Sequence, residues 1–161
     1  MEVVYQVVVK DRITNSHRDA FAEMLKAQGK VQGDLATKAD RCMAICFAFY
    51  NDELAAIGAI KCKTVSDFSA HKADLISLEP EFDWELGYIY TVPKFEGKGL
   101  ARNVVAILLE SFGKGNLMAS TEITENPGMV HILERNGFKL YGKPWKSAIH
   151  GNYLGLYLKF K

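Results

Sequence analysis

Apolar and polar positions alternate between two periods along the chain. EVVYQVVV, 2–9, is rich in β-branched residues and predicts a strand. Phe21, Met24 and Leu25 then recur at helical spacing. Ser16, with Asp19 three residues on, is a near capping box that opens this helix, and Gly29 can close it in a left-handed turn. CMAICFAFY and LAAIGAIKCK are apolar runs joined by Asn51-Asp52-Glu53, the signal of a hairpin. WELGYIYTV, 84–92, predicts a further strand, closed by Pro93 because proline cannot donate to a ladder.

Over 99–112 the period returns to 3.6. Leu100, Val104 and Leu108 form one row; Ala101, Val105, Leu109 and Phe112 form the next. So wide an apolar face packs on a sheet. LMASTEIT reads as a strand. Asn126-Pro127 opens a last helix, with Asn as cap and Pro at its first position. Val130 and Leu133 face inward there, and Gly137 ends the helix. FKLYG and NYLGLYLKF supply two closing strands. Residues 30–40 read as a loop or short helix, and in 64–78 Ser66 is the candidate cap of a short helix carrying Phe68 and Leu75. The order predicts an α/β fold: a mixed central sheet of six or seven strands with helices on both faces.

Composition narrows this picture. The 161 residues fit a single domain, 1–161, and 48% are apolar, enough for a real core. A formal charge of +1 supplies no global field toward nucleic acid or a membrane surface. VVYQVVV is too short to span a bilayer and lacks a cleavage-site pattern. A soluble, cytoplasmic protein is expected, with no nucleic-acid or membrane partner. Cys42, Cys46 and Cys62 sit in apolar runs with no histidine at ligand spacing, which predicts three buried thiols and no metal.

The chemistry concentrates in PKFEGKGLARNVVAILLE, 93–110. The first N–H groups of a helix lack partners within it, and the helix dipole makes them a site for anions. Gly97 and Gly99 remove side chains that would block a phosphate, Ala101 lets the first turn approach, and Lys98 and Arg102 add positive charge. Turn chemistry alone also explains glycines there. The Walker pattern fails because Lys98 is followed by Gly99, and the dinucleotide fingerprint fails for want of its third glycine and acid.

IYTVPKFEGKGLARNVVAILLE resembles the cofactor motif of the GNAT superfamily of acyl-CoA N-acyltransferases, which reads Gln or Arg, two residues, Gly, one residue, then Gly or Ala. Here the hexapeptide is Glu96-Gly97-Lys98-Gly99-Leu100-Ala101, with Glu96 the departure. The strand-proline lead-in and the segment from Asn126 to Gly137-Phe138 are also similar to the family, and the element order follows it through nearly the whole chain. The resemblance implies acetyl-CoA as co-substrate, lying in a V-shaped opening between the fourth and fifth strands. Its pantetheine would pair with the backbone near Tyr90, Thr91 and Val92. Its pyrophosphate would rest on the amides from Gly97 through Lys98, Gly99, Leu100 and Ala101 to Arg102, and Asn126 matches a family asparagine that contacts the cofactor.

Acyl transfer needs a deprotonated amine, a polarised thioester carbonyl and a stabilised leaving thiolate. Glu85 resembles the general-base glutamate of the histone-acetylating branch, and Trp84, Leu86 and Tyr88 would desolvate it. The tyrosine that the family often uses as acid corresponds to Leu133, which has no proton to give. His131 lies about 200° away on an ideal helix. Tyr88, Tyr90, Tyr141 and Ser120 are the candidate acids in its place, and water or no acid at all also serves, since a thiolate is a tolerable leaving group. Glu79, Glu81, Asp83, Glu85, Glu122 and Glu125 would make an acidic mouth for a cationic amine, or a solvated rim, and Trp145, Tyr141 and His150 would border it. The expected activity is transfer of an acetyl group to a primary amine, small molecule or peptide, by direct attack in a ternary complex. The alternative is a GNAT-fold protein that binds acyl-CoA without turnover, as a sensor. The protein would act as a monomer or homodimer.

Overall fold

The computed structural model describes residues 2–161. Seven strands form one mixed sheet: β1 (Val3–Val9), β2 (Cys42–Tyr50), β3 (Glu53–Cys62), β4 (Trp84–Thr91), β5 (Leu117–Glu122), β6 (Lys139–Lys146) and β7 (Tyr153–Lys159), in the order β1-β2-β3-β4-β5-β7-β6. β4 and β5 pair in parallel, Glu85 opposite Met118; the pairs β1–β2, β2–β3, β5–β7 and β6–β7 are antiparallel. The helices are α1 (Asn15–Gln28), α2 (Leu35–Lys38), α3 (Leu100–Phe112) and α4 (Pro127–Arg135). The chain forms two compact units, Met1–Lys61 with Leu86–Gly113, and Cys62–Glu85 with Lys114–Lys161.

In the first unit the sheet sorts its side chains by size. Ile45 and Phe47 of β2, with Ile57 and Ala59 of β3, form a core with Phe21, Met24 and Leu25 of α1. The opposite face carries the small Ala44, Cys46, Ala48, Ala56 and Gly58, with the larger Ile60 beside Ala44, all buried. A methyl group on Gly58 would come within 2.6 Å of Ile89 and of Val104 on α3. The small residues let α3 lie close to the strands, and Val104, Val105 and Leu108 are fully buried there. The hairpin between β2 and β3 closes on Asn51 and Asp52, with φ of 48° and 69°, as a two-residue turn with both central φ positive requires.

The expected cap of α1 is displaced by two residues. Thr14 is the N-cap: its hydroxyl accepts from the His17 amide, and the Thr14 amide donates to His17 Nδ1. The imidazole nitrogen takes the role that a carboxylate takes in the usual box. Residues 30–40 contain the one-turn α2, capped by Asp34.

The second unit packs Phe68, Ala73, Phe82, Trp145 and Leu156 around Met118 of β5 and Leu158 of β7. Residues 64–78 do not form the expected Ser66-capped helix. They make 3₁₀ turns, Val65–Phe68 and the start of Ile76–Glu81, because Phe68 is drawn into this core. Gly142, at φ 72°, lies where the β6 register shifts, and a methyl group there would collide with the Ala73 carbonyl. Of the cysteines, Cys42 and Cys46 are buried, but Cys62 is exposed, because it ends β3 where the apolar run stops.

Candidate active site

The candidate phosphate loop lies entirely in the first unit. Val92 donates its amide to the Ala55 carbonyl at 2.8 Å, which fastens the end of β4 to β3. Pro93–Phe95 then form a 3₁₀ turn, with Phe95 buried against Tyr50 at 5.3 Å between ring centroids. Beyond it Gly97 and Gly99 adopt φ of 80° and 76°, a left-handed backbone that other residues enter only at a cost. Gly99 is the N-cap of α3, and no side chain caps this end. The helix therefore begins as bare backbone, as anion binding needs. A methyl group at Gly97 would meet nothing within 4 Å, whereas one at Gly99 would stand 3.1 Å from Arg102 Nη2. The Arg102 guanidinium thus borders the cradle. Lys98 Nζ lies 5.0 Å over the Tyr50 ring, and Lys94 pairs with Glu53 at 2.6 Å. Glu96 is exposed.

β4 carries a backbone anomaly just upstream. Tyr88 has φ of 55°, in the left-handed region that a bulky side chain seldom enters. Such a residue costs about 1 kcal/mol or more and persists only where its surroundings hold it. Here Phe21 of α1 meets the Tyr88 ring edge-on at 5.5 Å, and Lys61 Nζ lies 5.3 Å from its centroid. Gln28 Nε2 donates to the Ile89 carbonyl at 3.1 Å, so α1 also holds the backbone just past the kink. Since Val92 faces β3, alternation turns the Thr91 peptide groups away from β3 and those of Tyr90 toward it. Of Tyr90, Thr91 and Val92, Thr91 is the one with its peptide groups turned away from β3.

In the second unit, Glu85 is buried at 7% exposure. Its Oε1 accepts from the Thr64 amide at 2.9 Å and the Thr64 hydroxyl at 2.7 Å, which fixes the orientation of the carboxylate. Asn126 caps α4, its Oδ1 accepting from the Met129 amide and its Nδ2 approaching Thr121 Oγ1 at 3.5 Å. Leu133 is fully buried and His131 exposed. The acidic residues divide. Glu81, Asp83 and Glu125 are exposed; Glu79 pairs with Lys63. Glu122 accepts from Asn152 Nδ2 and lies 3.1 Å from His150 Nε2. His150 Nδ1 accepts the Asn152 amide, so Nε2 carries the proton toward Glu122. Tyr141 packs on Phe160, and Trp145 is a core residue.

Sequence reading missed Thr64, Gln28 and Phe21, which hold Glu85 and the β4 kink. Each acts on a partner at least 21 positions away, and nothing local marks it. Burial raises the Cys46 thiol from 9.0 to about 12, leaving it un-ionised and inert as a nucleophile. Among the described residues no cluster of His, Cys, Asp or Glu could hold a metal ion, and no helix is long and apolar enough to cross a membrane.

A sheet of this order, with a kinked fourth strand leading into a glycine turn and a bare helix end, defines the class of the GNAT fold. Solved structures agree. Escherichia coli ElaA matches with a TM-score of 0.70 at 13% identity, covering 98% of this chain and 99% of that one. Arabidopsis thaliana Naa50, in complex with the bisubstrate analogue CoA-Ac-MVNAL, matches with 0.70 at 11%, covering 98% and 99%. Arabidopsis thaliana NAA60, in complex with acetyl-CoA, matches with 0.69 at 11%, covering 99% and 100%. Among curated proteins no sequence match is found. The chain belongs to the GNAT acetyltransferase family, whose domain model matches residues 3–139.

Proposed function

We propose that this protein is an N-acetyltransferase that moves an acetyl group from acetyl-CoA to a primary amine in a ternary complex. The observation that carries the reading is the uncapped N-terminus of α3 behind Gly97 and Gly99, both left-handed, with Arg102 at its rim. A diphosphate needs converging amides, no obstructing side chain and a nearby cation, and the loop offers all three. The Naa50 and NAA60 structures contain a CoA conjugate and acetyl-CoA, which supports acyl-CoA as the donor here.

In the proposed reaction the acceptor nitrogen loses a proton to Glu85, directly or through water. The nitrogen lone pair then attacks the thioester carbonyl, forming the C–N bond and a tetrahedral oxyanion. Collapse re-forms the carbonyl and breaks the C–S bond; the nitrogen, positively charged since the attack, gives its second proton to solvent, and the thiolate leaves with a proton from Tyr88 or solvent. Glu85 suits the role because Thr64 holds its carboxylate in one orientation, as general-base geometry demands. Tyr88 stands at the kink of the strand that would carry the pantetheine. Thr91 supplies the outward backbone for that arm, with Tyr90 and Val92 shaping it. Gly97, Lys98, Gly99, Leu100, Ala101 and Arg102 hold the diphosphate. Asn126 meets the cofactor only by sharing the Oδ1 that caps α4 or the Nδ2 that approaches Thr121 Oγ1.

One observation favours a non-catalytic acyl-CoA-binding protein: Leu133, fully buried, occupies the position of the family's usual acid. The two readings separate in one assay, acetyl-CoA-dependent release of CoA over a panel of amines, followed chromatographically. Release with one amine class establishes the enzyme and its acceptor. Tight acetyl-CoA binding without release on any amine or peptide supports the sensor and removes the catalytic reading.

A further inference from the structure

β1 is an edge strand of the sheet, and its composition sets it apart from the strand at the other edge. Natural edges are blunted with lysine and proline. β6 follows that rule, carrying Lys139, Lys143, Pro144 and Lys146. β1 does not: VVYQVVV has no charge, proline or glycine, and Val4 and Val9 are 46% and 48% exposed.

The direction of its free peptide groups follows from its pairing. Val3 lies opposite Tyr50, and the Glu2 carbonyl accepts from the Asn51 amide at 2.8 Å. Glu2, Val4, Gln6 and Val8 therefore turn their peptide groups toward β2, and Val3, Tyr5, Val7 and Val9 turn theirs outward. Residues 2–10 read EVVYQVVVK, and this segment complements itself about its middle residue. Laid antiparallel on a copy with Gln6 on the two-fold axis, Tyr5 meets Val7 and Val3 meets Val9, all with outward peptide groups, so every such group finds a partner. On the side-chain level Val4 meets Val8, Gln6 meets Gln6 where an amide pair can form, and Glu2 meets Lys10. Both ends are thus neutralised. Glu2 is exposed, and Lys10, the first residue of the 3₁₀ turn that follows β1, gives one ammonium hydrogen bond, to the Asp40 carbonyl, leaving further ammonium donors.

We propose that a second copy of this chain docks antiparallel on the outer edge of β1, with the two-fold axis at Gln6, joining two sheets into one. The self-complementary register and the charge pairing at its ends commit the edge to its own copy, because an unrelated strand would meet neither. A pairing of this size gives a reversible dimer.

The test is sedimentation over a concentration series to about 100-fold dilution. The wild-type protein should sediment at twice 18.0 kDa at the top of the series and dissociate on dilution. Gln6→Glu and Gln6→Lys each set like charges face to face on the axis. Each should be monomeric at concentrations where the wild type is dimeric, with an unchanged circular dichroism spectrum, since Gln6 is exposed. Mixed in equal amounts, the two variants should dimerise again. A wild-type protein monomeric throughout overturns the proposal. So does a dimer that neither variant weakens, because its interface would then lie elsewhere.

Discussion

At the scale of single residues, the site depends on side chains whose surroundings set their behaviour. Glu85 lies on an apolar strand, yet Thr64 reaches across 21 positions to hold its carboxylate. As the proposed base, a carboxylate fixed in this way should be hard to replace. Glu85→Gln is expected to lower kcat by about 100-fold or more while leaving acetyl-CoA affinity near its wild-type value. A wild-type kcat in Glu85→Gln would remove the residue from the mechanism. The cysteines make a separate expectation. Cys62 is exposed while Cys42 and Cys46 are buried, so one thiol should react quickly with a thiol reagent and two only on unfolding. Burial also raises Cys46 from 9.0 to about 12. Between those values the unfolded thiol gives up its proton and the folded one keeps it. Its contribution is therefore intact below pH 9, and stability is lost as pH rises toward 12. Urea titrations of the wild type and Cys46→Ala should diverge in slope against pH across that window.

At the scale of elements, two glycines have opposite duties. Gly99 has the proposed ligand duty: its left-handed backbone and missing side chain leave the end of α3 uncapped. Gly99→Glu adds strain, bulk and a repelling charge at the proposed diphosphate site, and should abolish acetyl-CoA binding in calorimetry. Unchanged affinity would refute the loop assignment. Gly58 serves packing, because a methyl group there would stand 2.6 Å from Val104 and Ile89. Gly58→Ala should cost about 1–3 kcal/mol in urea unfolding, since α3 must move off the sheet to make room. The α1 cap shows how much of an element the sequence reveals. The Phe21, Met24 and Leu25 spacing identifies the helix from its pattern alone. Its start depended on His17 acting as the acceptor in a capping box, which no pattern of acidic residues could suggest.

At the scale of the whole molecule, ligand binding and folding are linked. A ligand that binds only the folded chain stabilises it by about 2.7 kcal/mol at 100 times its dissociation constant. For 161 residues this is a rise in melting temperature of roughly 5–10 °C. Acetyl-CoA should produce that rise in the wild type and none in Gly99→Glu. The element order, the hairpin at Asn51-Asp52, the apolar rows of α3 and the glycine turn before it were legible from sequence, because each rests on local periodicity or on a backbone conformation that few residues can adopt. The left-handed Tyr88, the bond from Gln28 to Ile89, the grip of Thr64 on Glu85 and the core position of Phe68 were not. Each is set by a partner far along the chain or by packing that overrides local preference. Such contacts exist only once the sheet has brought distant segments together.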